Sequence, residues 1–401
     1  MPERPTTASR PAHWPAFTSP LRSTALTARI GRVLGICFGV CFITGLLSHY
    51  QYAPWAWLPE PANPVWLYRV TQGLHVATGT ATIPLLFVKL WSVYPNLFRW
   101  PPARTVKHVL ERLSVFVLVS TALLQLFTGF FNALNWYPWP WNFVVVHFAL
   151  GFVLIGSILL HIGLKLPDID YGLKARLADA DVLTEVPWSD NPLAHSNAGD
   201  VPPPLPPAIS RRGVLVAAGA GIGAVVVTSV GQTVTPLEPL GLLAIREWNK
   251  GPQRVPVNKT AEQAGVLTAA RAADWQLQVT GPKPYALAMA EVEGLAQAEA
   301  DFPITCVEGW SADAHWRGIR LLDLVTRAGG TADSRVTVFS LEENGAYSSS
   351  VVFGPQVSAA LLATHLHGER LDVDHGYPLR LISPNRPGVL NTKWLHRVEV
   401  S

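Results

Sequence analysis

Cys306 is the residue whose chemistry stands out in this 401-residue chain, within the run Ile304-Thr-Cys-Val-Glu-Gly-Trp310. A deprotonated cysteine is a soft anionic ligand, and a single one leaves other coordination positions of a metal free for further ligands and substrate. A lone buried cysteine is more often an inert small hydrophobe. Cys306 is therefore a candidate metal ligand only if other residues supply matching chemistry.

Cationic residues further along the chain could bind a phosphate group. His375 and Arg380 lie in one short run, and Lys393 follows thirteen residues later. Phosphate is held by cationic groups that converge from separate loops, arginine through its bidentate fork and lysine as a point charge. Gly376 suits a position where the backbone turns tightly or approaches a bulky ligand. A surface loop with ordinary charges is the alternative interpretation.

Three blocks of the sequence resemble the sulfite oxidase-like molybdenum enzymes. The first surrounds Cys306 and continues to Leu322, the second is His375-Gly-Tyr-Pro-Leu-Arg380 followed by Lys393-Trp394, and the third is Val257-Asn-Lys-Thr260. The resemblance implies that the Cys306 thiolate binds molybdenum beside the dithiolene of a molybdopterin. It also implies that the pterin phosphate and its surroundings are contacted by five further residues, namely Asn258, Lys259, His375, Arg380 and Lys393.

The resemblance also implies two residues near the substrate. Tyr347, in Tyr-Ser-Ser-Ser350, is similar to a tyrosine of the family near the substrate pocket. Arg317 offers a charge for an anionic substrate, although a salt bridge at the entry of a helix explains it equally well. His367 stands before Gly368 where the family has asparagine, so the cofactor contacts at this point differ.

Composition indicates that part of the chain lies in a bilayer. Hydrophobic residues make up 49% of the chain and charged residues 15%, well below the roughly 25% of charged residues in soluble proteins. A net charge of +3 gives no reason to expect a nucleic-acid partner. Cys37 and Cys41 lie one helical turn apart in an apolar run, and they are interpreted as packing residues without a disulfide framework.

Four apolar segments each approach the roughly 20 residues that cross the hydrocarbon core. They are residues 31–50, 72–94, 113–131 and 143–164. Basic residues precede the first segment and separate the second from the third, which places the tail, residues 1–30, in the cytoplasm. The opposite connections are rich in tryptophans, which suit the membrane interface and a surface for an outer domain: Trp55, Trp57, Trp66, Trp136, Trp139 and Trp141.

A polar, proline-rich stretch at residues 166–209 predicts a linker that is extended in its last part. Ser210-Arg-Arg-Gly-Val-Leu215 and the apolar run after it resemble a twin-arginine export signal inside the chain. That resemblance implies export of a domain already folded around its cofactor, with residues 210–235 kept as a fifth transmembrane helix. An ordinary fifth span with a basic flank is the alternative. Both interpretations place residues 236–401 outside the cytoplasm.

Residues 236–401 show the mixed periodicity of an α+β domain. Alternation predicts strands at 275–280, 335–340 and 398–400, and short helices suit 319–328 and 354–366. A domain of this size can bury a core without disulfides. The predicted fold class is multidomain, with an all-α membrane bundle of four helices (residues 31–165) and a fifth span, followed by an α+β domain. The resemblance implies a mixed sheet in that domain.

Histidines inside the apolar segments predict a second cofactor, because ionisable residues are costly in a bilayer. His75 and His147 fall near the outer ends of two spans, as the axial ligands of one b-type haem require. His161 follows on the same helix face, about 21 Å from His147, a spacing that resembles the dihaem cytochrome b subunits of formate dehydrogenases and hydrogenases. One haem on His75 and His147 is predicted, with His49 available as a ligand or at a quinol site. Interfacial or helix-pairing histidines are the alternative.

Together these features predict a membrane-bound, molybdopterin-dependent oxidoreductase. The resemblance implies exchange of an oxygen atom and two electrons with a small substrate of the sulfite, S-oxide or N-oxide class. Electrons would pass through haem b to the quinone pool or another redox partner. Two alternatives stay open: the same oxidoreductase on a haem-free anchor, and a non-catalytic binding protein that keeps the cofactor fold, against which the intact Cys306 argues.

Overall fold

The structure, a computed structural model, describes residues 19, 21–98, 105–134, 136–178, 209–244, 246–247, 249–343 and 345–401. The predicted tail up to residue 18, the basic residues Arg99 and Arg104, and most of the predicted linker lie outside the described residues. Contacts divide the chain into two compact units, Met1–Phe42 with Thr78–Val226 and Ile43–Ala77 with Val227–Ser401.

Five helices among the described residues are long and apolar enough to cross a membrane. They are α1 (Thr24–Tyr52), α2 (Leu67–Val93), α3 (Val106–Ala133), α4 (Phe143–Lys174) and α5 (Arg211–Val230). Helix α4 continues to Lys174, into the stretch predicted as linker, and Lys174 pairs with Asp170 at 2.6 Å. Such i,i+4 pairs stabilise the exposed end of a helix, which an apolar window does not detect.

The first unit is a helical bundle with its own apolar core. Leu26, Leu34 and Phe38 of α1 pack in one cluster with residues of α2, α3 and α4, among them Leu85 and Leu154. Helices α3 and α4 begin where polar side chains cap them. Thr105 accepts from the His108 amide at 3.2 Å and Asn142 from the Val145 amide at 3.1 Å, and each cap satisfies an N–H group that has no partner within the helix.

The C-terminal part of the second unit is an α+β domain built on two larger sheets and a short hairpin. Its first sheet has the order β2-β1-β12-β7-β8, in which β1 and β12 run parallel and the other pairs antiparallel. This sheet is mixed, as the resemblance implied. The strands of the domain are β1 (Gln276–Thr280), β2 (Tyr285–Ala288), β3 (Ala298–Asp301), β4 (Ile304–Thr305), β5 (Ser311–Ala312), β6 (His315–Arg320), β7 (Val336–Ser340), β8 (Ser349–Val352), β9 (Leu361–Leu366), β10 (Glu369–Arg370), β11 (Arg380–Ile382) and β12 (Leu395–Val400).

The second sheet corrects one prediction from periodicity. Residues 354–366 were expected to form one helix, but the helix is short and the strand β9 follows it. Strand β9 pairs with β6, β10 and β11 at the centre of the sheet, and most of its residues are buried. An apolar run buried on both faces has no period that separates strand from helix. The short helices of the domain are α6 (Leu267–Ala270), α7 (Met289–Gly294), α8 (Leu321–Arg327) and α9 (Pro355–Ala359).

The end of α1, the start of α2 and the connection between them belong to the same unit as this domain. Asn385 joins them: its Oδ1 accepts from the Tyr68 amide at 2.6 Å and from Gln51 Nε2 at 3.0 Å, and its Nδ2 donates to the Pro61 carbonyl at 2.8 Å. The bond to Tyr68 satisfies one of the N–H groups that the first turn of α2 leaves unpaired. A residue more than three hundred positions away therefore caps this helix.

A buried ion pair strengthens this connection. Glu60 Oε1 lies 2.8 Å from Arg386 Nε, and both side chains are 3% exposed. Three of the tryptophans predicted to form a surface for the outer domain are more than half exposed, namely Trp55 at 55%, Trp57 at 76% and Trp66 at 53%. Polar side chains, rather than aromatic rings, therefore fix the connection to the domain.

Candidate active site

Cys306 lies in a tight turn between the two strands of a short hairpin. Strand β4 pairs with β5 on either side of it. The Cys306 amide donates to the Trp310 carbonyl at 2.9 Å, and the Gly309 amide donates to the Cys306 carbonyl at 3.1 Å. Gly309 has φ +94°, which glycine adopts without steric cost. Residues 306–309 are called the cysteine turn below.

The environment of Cys306 suits a metal-bound thiolate. The side chain is 2% exposed, and Asn258 Nδ2 donates to its Sγ at 2.8 Å. Burial, and then the negative charge of Glu308, raise the pKa of the thiol to about 12. A thiolate at this position therefore needs a nearby positive charge, which a bound metal ion supplies.

Glu308 is held away from solvent by two partners. Arg246 Nε lies 3.3 Å from Glu308 Oε2, and Trp310 Nε1 donates to the same oxygen at 3.0 Å. The charge of Glu308 is thus balanced by an arginine that lies outside the three blocks recognised in the sequence.

The predicted phosphate-binding cations converge in the structure. Arg380 Nη1 donates to the His375 carbonyl at 3.2 Å, and Lys393 Nζ donates to the Asp374 carbonyl at 2.9 Å and to the Lys259 carbonyl at 2.5 Å. His375 Nε2 donates to the Pro252 carbonyl at 2.7 Å. His375, Arg380 and Lys393 are called the cation cluster below.

The cation cluster has the electrostatic character of an anion site. Burial is the main cause that lowers the pKa of His375 to about 4, of Arg380 to about 9 and of Lys393 to about 7. The charge of Arg380 lowers the pKa values of the other two further. Among the described residues, Arg380 Nε has no hydrogen-bond partner, although it is buried. Because such donors are costly when unsatisfied, the cluster fits a bound phosphate.

Asn258 and Lys259 lie beside these groups in different ways. Asn258 contacts the sulfur of Cys306 directly. Lys259 directs its ammonium group to the carboxylate of Glu342 and offers its carbonyl to Lys393. The segment at 258–259 therefore links the cysteine to the cation cluster.

Tyr347 and Arg317 have different surroundings. Tyr347 is 37% exposed, and its hydroxyl lies 3.5 Å from that of Tyr52 at the end of α1. Arg317 Nη2 lies 2.9 Å from His365 Nε2 on the neighbouring strand β9. Its neighbour Trp316 lies under Arg380, with the guanidinium 5.5 Å from the ring centroid. Because successive strand residues point to opposite faces, Arg317 faces away from the cation cluster.

Three residues that hold the cysteine turn were missed by sequence reasoning. Gln72 Nε2 donates to the Val307 carbonyl at 2.9 Å, the Thr233 hydroxyl donates to the Gly309 carbonyl, and Arg246 pairs with Glu308. The only local signal for Gln72 was a polar residue at the edge of an apolar run. Contacts across such sequence distances have no periodicity that a single sequence reveals.

Within the described ranges, no group of three or more His, Cys, Asp or Glu side chains converges as a metal site. A metal at Cys306 must therefore bring most of its ligands with it. The dithiolene of the molybdopterin that the resemblance implies would supply such ligands.

Comparisons with known proteins identify the same region. Residues 264–401 match the family model described as the oxidoreductase molybdopterin binding domain. The uncharacterized oxidoreductase YuiH of Bacillus subtilis (strain 168) is 30% identical over 129 residues, which are 31% of this chain and 64% of YuiH.

Two characterised proteins also match. The protein-methionine-sulfoxide reductase catalytic subunit MsrP of Xanthomonas axonopodis pv. citri (strain 306) is 29% identical over 136 residues, 30% of this chain and 42% of MsrP. Mitochondrial sulfite oxidase of Homo sapiens is 32% identical over 101 residues, 23% of this chain and 18% of that protein. The chain spans less than two thirds of the length of each of these relatives. Its C-terminal part is an oxidoreductase molybdopterin-binding domain of the sulfite oxidase and MsrP type.

Proposed function

We propose that the chain is a membrane-bound oxidoreductase that transfers an oxygen atom to or from a small substrate at a molybdopterin-bound molybdenum. The observation that carries this proposal is the combination of the buried Cys306 thiol with the buried cation cluster, where Arg380 Nε has no hydrogen-bond partner in the part of the chain that the structure describes. When bound, the molybdenum cofactor would supply oxygen-atom transfer and two-electron redox chemistry.

Each residue of the site has a distinct role in this proposal. Cys306 holds the metal, and Asn258 donates to its sulfur, so that the thiolate is oriented and part of its charge is offset. The cation cluster binds the pterin phosphate, Arg380 through its fork and Lys393 as a point charge. The Lys259 carbonyl keeps Lys393 in place.

The substrate class that fits best is a neutral S-oxide, which takes up two electrons and two protons and leaves as the sulfide with one water. MsrP is named as a methionine-sulfoxide reductase. Arg317, the expected contact for an anion such as sulfite, is bonded to His365 instead. Tyr347 and its neighbour Tyr52 offer uncharged hydroxyl groups, which suit the oxygen of a neutral S-oxide better than a dianion.

A b-type haem on His75 and His147 would connect this site to the membrane. Two local arrangements support the proposal, and each consists of a Thr-Gly pair on a neighbouring helix. The hydroxyl of Thr44 lies 3.3 Å from His75 Nδ1, and that of Thr128 lies 2.9 Å from His147 Nδ1. The next residue in each pair, Gly45 or Gly129, lets the ring approach closely, since a Cβ there would lie 3.0 or 2.9 Å from the histidine Cε1.

The arrangement around His147 also suits one of its two tautomers. The Thr128 hydroxyl is 2.9 Å from the Leu124 carbonyl, to which it donates. In the tautomer in which His147 Nδ1 donates to the hydroxyl oxygen, Nε2 keeps its lone pair. A histidine that donates through Nδ1 is oriented to bind a metal through Nε2. In the structure that lone pair accepts from Gln125 Nε2 at 3.0 Å.

The side of the membrane is proposed from the charge pattern and from the twin-arginine-like signal. Arg211 Nη1 donates to the Leu177 carbonyl at 3.0 Å, so this arginine also has a structural contact. Changing Arg211 and Arg212 together to lysine preserves the positive charge. We expect the catalytic domain of this variant to stay in the cytoplasm. Unchanged access of an external protease would identify the pair as an ordinary membrane flank.

A substrate panel tests the catalytic proposal. S-oxides should reoxidise the dye-reduced wild-type protein in membranes. They should not reoxidise the Cys306→Ala variant, although the membrane part of that variant remains intact. Turnover at the wild-type rate in Cys306→Ala would show that Cys306 is a packing residue. Reduction of the protein by sulfite, with no reaction to S-oxides, would select the sulfite oxidase reaction.

Visible spectra test the haem. His75→Ala and His147→Ala should each abolish a low-spin haem spectrum, because an iron porphyrin left with one axial ligand becomes high-spin or is lost. His161→Ala should retain most of the signal, since His161 lies about 21 Å along the helix from His147. Equal loss in the His161 variant would contradict the assignment of the ligand pair.

A further inference from the structure

The cysteine turn is fixed by residues that lie outside the matched domain. Gln72 on α2 donates to the Val307 carbonyl at 2.9 Å. Thr233, just after α5, donates to the Gly309 carbonyl, and Arg246 pairs with Glu308. Residues 264–401 alone match the family model. The polypeptide that carries the metal ligand therefore depends for its position on segments that precede the residues matched by the family model.

Helix α2 approaches the cysteine turn closely at a second point. A Cβ on Gly309 would lie 2.9 Å from Val76 Cγ1, so only a residue without a side chain allows this separation. Val76 follows His75 directly, and Gln72 precedes His75 by three residues, which places Gln72 and Val76 on one face of the helix, one turn apart. Both contacts with the turn thus flank the histidine.

The side chain of Gln72 is held at both ends. Its Nε2 donates to Val307, and its Oε1 accepts from the Ser48 hydroxyl at 2.8 Å. A glutamine with both polar ends satisfied keeps one orientation near the membrane edge. The bond to Val307 is therefore a fixed link between α2 and the residue next to Cys306.

We propose that residues 72–76 of α2 form the route by which electrons pass between the molybdenum site and a haem bound to His75. Starting at the Cys306 sulfur, the route crosses one peptide bond to Val307 and one hydrogen bond to Gln72, and then follows the helix to His75. Electron tunnelling is faster through bonds and tight contacts than through gaps, and this path contains a single hydrogen-bonded step. The inference rests on the proposed function, because it requires both cofactors.

The electrons balance with the proposed S-oxide reaction. For each S-oxide, two electrons would pass one at a time along residues 72–76 and the Val307 contact, and none of the covalent bonds of this route would form or break. The S-oxide loses its oxygen as water, with two protons taken from solvent. Gln72 and Val76 affect only the electronic coupling between the two cofactors. They are therefore positioning residues that do not touch the substrate.

Two variants interrupt the route in different ways. Gln72→Met keeps the length of the side chain but removes the donor to Val307. Gly309→Ala places a methyl group against Val76, and Gly309→Ala combined with Val76→Ala removes that clash again. Gly265→Ala is the matched control, since Gly265 also has positive φ but nothing lies within 4 Å of its Cβ position. Ser48→Ala controls for the loss of one hydrogen bond at the other end of Gln72.

The experiment measures two rates on the purified full chain with its cofactors. One is S-oxide turnover with a small reduced dye that donates directly to molybdenum, and the other is the rate at which S-oxide oxidises the pre-reduced haem in stopped flow. Gln72→Met and Gly309→Ala should slow haem oxidation at least several-fold more than they slow dye-driven turnover, while molybdenum content is preserved. Gly265→Ala should match the wild type, and the double variant should regain most of the rate. Ser48→Ala should lose less of the haem-oxidation rate than Gln72→Met, because the bond from Gln72 to Val307 remains.

The possible failures are distinguishable. Haem oxidation at the wild-type rate in both Gln72→Met and Gly309→Ala, with haem present, overturns the route and leaves the proposed function standing. A parallel loss of dye-driven turnover shows that these residues only support the folded site, which also overturns the route. A wild-type protein without haem overturns the haem part of the proposed function together with this inference.

Discussion

At the scale of single residues, the cation cluster makes the cofactor-free protein sensitive to acid. Folding lowers the pKa of His375 from 6.5 to about 4 and that of Lys393 from 10.5 to about 7. The unfolded chain therefore binds more protons between about pH 4 and 6.5 through His375, and between about pH 7 and 10.5 through Lys393. Stability rises with pH across both windows and is lost as the pH falls.

This linkage gives a prediction for the cofactor-free protein. The stability that His375 and Lys393 contribute should fall as the pH is lowered from about 8 to about 5, and inorganic phosphate should raise the melting temperature at the lower pH by pairing with the cations. Differential scanning calorimetry with phosphate and with chloride at equal ionic strength measures both effects. An equal response of the melting temperature to phosphate and to chloride would contradict a phosphate site in the cluster.

Asn258 gives a second prediction at this scale. Its bond to the Cys306 sulfur withdraws charge from the thiolate, and hydrogen bonds to metal-bound sulfur raise the reduction potential of the metal. Asn258→Ala should therefore lower the molybdenum midpoint potential while molybdenum content is preserved. A redox titration followed by electron paramagnetic resonance measures this, with Gln263→Ala, on the exposed side of the same segment, as control. An unchanged potential would show that the contact with sulfur is only packing.

At the scale of the elements, the Thr-Gly pairs on α1 and α3 are the features that prepare the histidines. Thr44→Val and Thr128→Val keep the shape of the side chain and remove the hydroxyl that bonds the imidazole. Each change should shift the haem midpoint potential and broaden the low-spin signal, because the imidazole loses the bond that orients it. Thr121→Val, at another buried threonine of α3, is the control. Spectra identical to the wild type in both variants would mean that these hydroxyls do not orient a haem ligand.

Elements with a clear period or a long apolar run were predictable from the sequence. Strands β1, β7 and β12 and helix α8 lie where alternation and spacing placed them, because each buries one face of regular structure. Strand β9 was mistaken for a helix because both of its faces are buried. The polar end of α4 was missed because it is held by charged pairs, which hydropathy does not register.

The candidate site likewise contains some residues that the sequence predicted and others that it did not. Cys306 and the cation cluster were predicted from short sequence blocks, because their residue types suit the binding of a metal and of a phosphate, and the structure brings His375, Arg380 and Lys393 close together. Gln72, Thr233 and Arg246 are common polar residues whose role depends on three-dimensional contacts. Asn385, which caps α2 from a distant part of the chain, could not be found for the same reason.

At the scale of the whole molecule, the Glu60–Arg386 pair ties the connection between α1 and α2 to the catalytic domain within one unit. Arg386→Met would leave the Glu60 carboxylate buried without its partner, which costs about 3–5 kcal/mol in comparable cases. Burial already raises the pKa of Glu60 to about 7, and loss of Arg386 would raise it further. The free energy of unfolding of the variant should therefore decrease as the pH rises from about 4.5.

Urea unfolding at pH 5 and pH 8 measures this prediction. The loss of stability in Arg386→Met should be greater at pH 8, and the added change Glu60→Gln should abolish that difference. Glu293→Gln, in an exposed pair with Arg370, should have little effect at either pH. An equal loss at both pH values would show that Glu60 is not ionised in the folded protein.

The central claim is that Cys306 binds molybdenum in a molybdopterin site. X-ray absorption at the molybdenum edge of the purified wild-type protein and of Cys306→Ser tests it most directly, because it counts the sulfur ligands of the metal. The wild-type protein should contain molybdenum in stoichiometric amount, and its coordination shell should lose one sulfur in the variant while the dithiolene sulfurs remain. An unchanged number of sulfur ligands in Cys306→Ser, or a wild-type protein without molybdenum after expression with the cofactor, would contradict the claim.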